Sequence, residues 1–278
     1  MPHAAPRPAL GSPATRLVAL GGRNRVTRRA LLTHLGAAGV GLTILGACGG
    51  STDSTADTAP DSTPDDPADS AETAPDTARD GAAGLQLQHV SLGFVSAYVL
   101  LRGNEAAIVD TGQADSAPAI LEGLAAVGAT WSDVAHVVLT HNHGDHVGGL
   151  ADVLEAAPGA TVYAGEADLG RILTSATVQA VGDGDEVLGL GVVNTPGHTA
   201  GSISLFDTET GILVAGDAIN GDNGALTGAN PSFSADMEAA TASIGVLASL
   251  EPRIAAFGHG GAPIETEVTA QLAALADA

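Results

Sequence analysis

An apolar run, Val137-Val138-Leu139, leads through Thr140 into His141-Asn142-His143-Gly144-Asp145-His146, three imidazoles and one carboxylate within six residues. Imidazole nitrogens and carboxylate oxygens are the donors that zinc and related transition metals accept. Gly144 lets the backbone turn, so alternate side chains converge instead of pointing to opposite faces of a strand. From the chain's own His and Asp frequencies, a chance His-x-His-x-Asp-His arises on the order of one time in a thousand. A solvated polar loop leaves the other candidate ligands unexplained. His198 stands in Thr195-Pro196-Gly197-His198, Asp217 in Val214-Ala215-Gly216-Asp217, and His259 in Phe257-Gly258-His259-Gly260-Gly261. Each follows an apolar, strand-like run and is flanked by Gly or Pro. The fold of this chain must let those separate loops meet.

The pattern around these residues is one of short strands alternating with helices. Residues 90–101 read as one extended segment, 102–104 as a turn, and 106–109 as a returning strand that ends at Asp110-Thr111-Gly112. Further strands are expected at 135–139, 161–164, 186–193, 202–207, 211–215 and 253–257. Apolar spacing predicts helices over 116–127, 149–157, 235–250 and 264–276. Residues 221–233, rich in Gly and Asn and just downstream of Asp217, are expected to form a loop that lines or covers the substrate opening. Strands mixed with helices, hairpins included, place the domain in the α+β class of stacked sheet and helix layers.

Charge divides the chain into three parts. Residues 1–47 hold six Arg and no acid, residues 48–84 nine acids and one Arg, and residues 85–278 23 acids against Arg102, Arg171 and Arg253; there is no Lys. A net charge of −22 and 3% aromatic content leave neither a basic stripe nor a stacking platform, which excludes nucleic acid as a partner. Arg28-Arg29 before the mildly apolar stretch from Ala30 resembles a twin-arginine export signal, and Leu45-Gly46-Ala47-Cys48 resembles a lipoprotein box. The sole Cys, Cys48, is expected to be lipidated and to anchor the exported chain on the outer side of a membrane, at the cell surface or in the periplasm. Residues 48–84 cannot bury enough apolar surface to offset ordering and are expected to be an acidic, disordered tether. Residues 85–278 are the folded domain.

The ligand-like residues of that domain, in their order along the chain, resemble the metallo-β-lactamase superfamily over about residues 86–277. The resemblance implies an αββα sandwich with the site at one edge. It implies that His141, His143 and His198 bind a first divalent metal and that Asp145, His146 and His259 bind a second. Asp217 would bridge the two. Asp110, in Val109-Asp110-Thr111-Gly112, matches the family's early strand-end Asp and would support the metal loop from behind the ligands. His89 and His136 match no motif and read as ordinary, partly buried histidines, while His3 and His34 belong to the export segment.

The ligand set then implies hydrolysis. Two dications, zinc first with iron and manganese also fitting, would lower the pKa of a shared water to give hydroxide near neutral pH. Asp145 would orient that nucleophile as well as bind metal. With no separate general acid in view, activated acyl bonds are expected: an ester, thioester or lactone. Asp217 at the bridging position resembles glyoxalase II and the lactonases more than the true β-lactamases. The near-absence of basic residues argues against glutathione, and Ala218-Ile219-Asn220 lacks the Tyr that quorum-quenching lactonases carry after the bridging Asp. A small neutral or apolar acyl substrate is the expectation. Two alternatives stand beside it: lactam hydrolysis of the β-lactamase type, and a non-catalytic, membrane-anchored metal-binding or scaffold protein of the same fold.

Overall fold

The computed structural model describes residues 84–278. The expected export signal, the lipobox with Cys48 and the tether up to residue 83 lie outside the described residues. The first half of the described chain runs β1 (Gln86–Ser91), β2 (Ser96–Arg102), β3 (Glu105–Val109), α1 (Ala117–Ala126), β4 (Val134–Leu139), α2 (Gly144–Val147), α3 (Leu150–Ala156), β5 (Thr161–Gly165) and β6 (Val178–Val181). The second half runs β7 (Glu186–Val187), β8 (Leu190–Asn194), β9 (Ile203–Asp207), β10 (Ile212–Val214), β11 (Ile219–Asp222), β12 (Ala225–Gly228), α4 (Met237–Ser249), β13 (Ile254–Ala256) and α5 (Val268–Ala276).

Strands β1 to β6 form one sheet in chain order, antiparallel through β3 and parallel from β3 to β6. The second sheet has the order β13-β10-β9-β8-β7, with β13 parallel to β10 and the rest antiparallel. Strand alternation builds the layers. In β2, Ala97, Val99 and Leu101 face Ile120 and Leu124 of α1 and Val153 of α3, while Tyr98 and Leu100 face the other sheet. In β10, Ile212 and Val214 join that inter-sheet core and Leu213 packs outward with Ile244 and Leu247 of α4 and Leu272 of α5. The result is helix, sheet, sheet, helix: an α+β, αββα sandwich. Each fully buried Leu or Ile, such as Leu100 or Leu213 at 0% exposure, contributes on the order of 2 kcal/mol through burial. Asp236 caps α4, its side chain accepting from the Ala239 N–H at 3.0 Å.

Five expectations about local structure need correction. Residues 90–101 are not one extended segment: the chain turns where the Leu92 N–H donates to Val95 O at 2.9 Å, and β1 and β2 pair as a hairpin. Residues 186–193 likewise fold back at Leu188-Gly189, making β7 and β8. The expected loop at 221–233 contains the hairpin β11–β12, whose turn is Asn223-Gly224, both with positive φ; this is the Asn-Gly signal of a tight hairpin. The polar stretch after His143 is not loop but α2, and the last helix starts at Val268, not 264. No helix among the described residues is long and apolar enough to cross a membrane.

Candidate metal centre

Each expected ligand sits just past a strand. His141 and His143 follow β4, Asp145 and His146 lie on α2, His198 follows β8, Asp217 lies in a short 3-10 turn after β10, and His259 follows β13. The strands are held by the buried layers, so the loops at their ends are delivered to a common place. His141, His143 and His198 bring one donor atom each within 4.8 Å of one another, and Asp145, His146 and His259 do the same. Asp217, 6% exposed, lies between the two groups. Its Oδ2 is 3.4 Å from His198 Nε2 and 3.2 Å from His259 Nε2, and its Oδ1 is 3.4 Å from His146 Nε2. All seven residues meet in one place.

The outer nitrogens of four imidazoles are each given a partner, and those partners fix the tautomers. His146 Nδ1–H donates to Asp110 Oδ2 at 2.8 Å and His259 Nδ1–H to Phe94 O at 2.7 Å. The Thr140 hydroxyl spends its proton on Asp110 Oδ2 (2.7 Å), so at 3.0 Å it can only accept from His141 Nδ1–H. The Ser234 hydroxyl spends its own on Asn230 O (2.7 Å), so at 3.1 Å it accepts from His198 Nδ1–H. All four rings therefore turn Nε2 inward, and on His141 and His198 that nitrogen is unprotonated. His143 is the exception, presenting Nδ1, 2.9 Å from His198 Nε2. Asp110 also accepts from the Thr140 N–H at 2.7 Å, and so braces both ends of the histidine motif.

The electrostatics favour cations. Burial first, then the surrounding imidazoles, push His141 well below its ordinary value, and burial with neighbouring rings takes His198 to about 4 against the pull of Asp217. Both are neutral donors at physiological pH. His259 is raised to about 9, chiefly by its hydrogen bond to Asp217. Burial pulls His146 down, but Asp110, Asp217 and Asp145 outweigh it and hold its pKa up. Burial raises the Asp217 carboxyl, yet contact with His259, His146 and His198 leaves it below the carboxylate norm.

Two buried atoms in this cluster, His141 Nε2 and Asp217 Oδ1, have no hydrogen-bond partner. A buried lone pair without a donor is costly, and a cation relieves that cost. The donor set therefore fits divalent metal, and imidazole with carboxylate suits zinc, iron and manganese alike. Gly258 permits the assembly by close approach: a Cβ there would lie 1.9 Å from Asp217 Oδ1 and 2.7 Å from His146 Cε1.

A family model described as the metallo-beta-lactamase superfamily matches residues 90–259. The chain belongs to this superfamily. An uncharacterized Bacillus subtilis protein, YobT, is 29% identical over 196 residues, covering 60% of this chain and 83% of its own. A hydroxyacylglutathione hydrolase of a Synechococcus strain is 38% identical over 116 residues, 41% of this chain and 44% of that enzyme; the chain thus spans less than half of this relative. The crystal structure of a metallo-beta-lactamase family protein from Thermus thermophilus superposes with a TM-score of 0.56 at 26% identity, covering 70% of this chain and 78% of that one. The superfamily fold accounts for the two donor groups lying side by side.

Apart from Asp110, sequence reasoning missed the supports that are not themselves ligands. Thr140 had a visible signal, its place directly before His141. Ser234 and Phe94 had none, because each acts across tens of residues through a single hydroxyl or carbonyl.

Proposed function

We propose that this protein is a metal-dependent hydrolase of small, neutral or apolar acyl substrates, either esters, thioesters or lactones. The observation that carries the reading is a pocket of about 1080 Å³ that opens directly onto the donor cluster. His143, Asp145, His198, Asp217 and His259 line it on one side. Phe94, Ala229, Pro231 and Phe233 give it an apolar rim, and no Arg is among its lining residues. Beyond the metal site itself, a substrate's carboxylates or phosphates would meet no Arg or Lys side chain there, only the acidic Asp222. The lack of an Arg or Lys side chain among the lining residues argues against glutathione as the substrate.

His141, His143 and His198 would hold one cation, Asp145, His146 and His259 the other, with Asp217 shared. Bound divalent cations supply Lewis acidity, polarising a carbonyl and acidifying water. The chain's own residues do the rest. Asp145, a quarter exposed and 3.4 Å from His259 Nε2 through its Oδ2, can accept a proton at that oxygen and orient an attacking water. Phe94 stacks on His259, ring centres 5.8 Å apart and nearly parallel, and sets an apolar surface beside it in the pocket. Asn220 and the 227–231 segment also line the pocket, where an acyl chain can lie.

The N-terminal motif completes the proposal. Cleavage before Cys48 and its lipidation would anchor the enzyme on the outer side of a membrane.

Metal analysis of the purified chain, combined with an ester, thioester, lactone and β-lactam panel with and without chelator, tests the reading. Chelator-sensitive turnover of neutral acyl substrates is expected. A fully loaded protein that turns over none of them would leave a scaffold, and preference for the lactam would move it to the β-lactamases.

A further inference from the structure

Beneath the first donor group lies a carboxylate that no motif announces. Asp168 sits in the 3-10 turn Glu166–Arg171 after β5 and is 1% exposed. Its Oδ2 accepts from the Asn142 N–H at 2.9 Å and from the Thr199 hydroxyl at 2.7 Å, and its Oδ1 accepts from the Gly201 N–H at 2.9 Å. Asn142 stands between His141 and His143, and Thr199 follows His198 directly. The backbone has been shaped to admit this side chain. A Cβ on Gly201 would lie 2.4 Å from Asp168 N and 2.7 Å from its Cγ, and one on Gly165 would lie 2.0 Å from Gly201 O.

We propose that Asp168 is the positioning residue for the His141, His143 and His198 group, tying together the two chain segments that supply its three imidazoles. Burying a carboxylate costs several kcal/mol unless its oxygens are hydrogen-bonded, and all three of these bonds go to those two segments. Asp110 braces the histidine motif from His146 and Thr140; Asp168 joins that motif to the His198 loop, 55 residues further along from His143.

This rests on the two-group reading of the site, and the test separates the two. The full chain and its variants are titrated metal-free with Zn(II) against a competing chelator, after circular dichroism has confirmed the fold. His259→Ala leaves the first donor group intact and His198→Ala leaves the second. In the His259→Ala background, Asp168→Asn should weaken Zn(II) binding about 10-fold or more, and in the His198→Ala background it should change binding by less than about threefold. The amide keeps the volume but turns an N–H toward a backbone N–H or the Thr199 hydroxyl. If Asp168→Asn does not fold, Thr199→Val, which removes one of the three bonds, should show the same selectivity at smaller size. Equal weakening in both backgrounds, or none in either, overturns the role of Asp168 alone. An unmodified chain that takes up fewer than two Zn(II) overturns the two-group reading and this proposal with it.

Discussion

Replacing Asp110 by Asn should disarm both donor groups while leaving the fold in place, because one proton placement depends on the next. Asn keeps one oxygen for the Thr140 N–H, now 2.7 Å from Asp110 Oδ1. Its NH2 then occupies the place of Oδ2, which takes protons from the Thr140 hydroxyl at 2.7 Å and from His146 Nδ1 at 2.8 Å. Facing a donor, Thr140 must turn its hydroxyl proton toward His141 Nδ1, 3.0 Å away, and both His141 and His146 must carry their proton on Nε2 instead. Each group loses one inward lone pair. Hydrogen bonds are re-formed in equal number, though neutral ones replace charge-assisted ones at about 1 kcal/mol apiece, partly offset by removal of a buried charge. The metal-free variant should therefore lose no more than about 2 kcal/mol in urea unfolding, while affinity for each of two zinc ions falls roughly 10- to 100-fold. Long-range nitrogen–proton NMR correlations of the imidazoles read the tautomers directly. Unprotonated Nε2 on both rings in the variant, or zinc affinity within a few-fold of the parent, refutes the reasoning.

Four other outcomes follow from the same coordinates. The Tyr98 hydroxyl donates to Phe257 O at 2.7 Å and accepts from Phe257 N–H at 3.0 Å, and burial raises its pKa to about 12. The folded chain keeps this proton where the unfolded chain loses it, so stability should fall by about 2–3 kcal/mol as pH rises from 10 to 12; Tyr98→Phe should lack that difference in slope and lose about 2–4 kcal/mol at pH 8, measured by urea unfolding. Gly258→Ala drives a methyl into Asp217 Oδ1, so it should cost about 1–3 kcal/mol in stability and most of the bound metal; full metal content by elemental analysis would contradict this. Phe233, 68% exposed at the pocket rim, should matter to substrate and not to folding: Phe233→Ser should lower kcat/KM for octanoyl esters about 10-fold, leave acetyl esters nearly unchanged and move thermal stability by under about 0.5 kcal/mol. Cys48→Ser should abolish incorporation of radiolabelled palmitate and release the chain from the membrane fraction; continued labelling would remove the lipobox reading.

What could be read from the sequence was what local order along the chain encodes. The His141–His146 run was legible because a strand end and a tight turn hold its ligands within six residues, and α2 then presents Asp145 and His146 on one short helix. His198, Asp217 and His259 were legible because each follows an apolar run and a glycine. The sandwich could be named because the ligand-like residues, in their order, resemble the metallo-β-lactamase superfamily; the alternation of β2 and β10 between two cores, in runs apolar throughout, shows only in the fold. The hairpin turns at 92–95 and 188–189 were missed because each is marked by a single glycine, Gly93 or Gly189, inside a largely apolar run, and only the pairing partner decides whether such a run continues or folds back. The supports other than Asp110 were missed for a different reason. Thr140, Asp168 and Ser234 each act through a hydroxyl or carboxylate whose partner lies on another segment, and an isolated Asp in Glu166-Ala167-Asp168 reads as a solvated turn until the loops after β5 and β8 meet, with Gly201 against it. Ligands must be chemically distinctive, and so they mark the sequence. Apart from Asp110, which ends a strand in Val109-Asp110-Thr111-Gly112, the groups that aim them need only one oxygen in the right place, and little in the order of residues sets them apart. A lone pair left bare and buried, as at His141 Nε2, is what betrays them once the chain is folded: the proton on its other nitrogen has been claimed by Thr140, whose own proton Asp110 has taken.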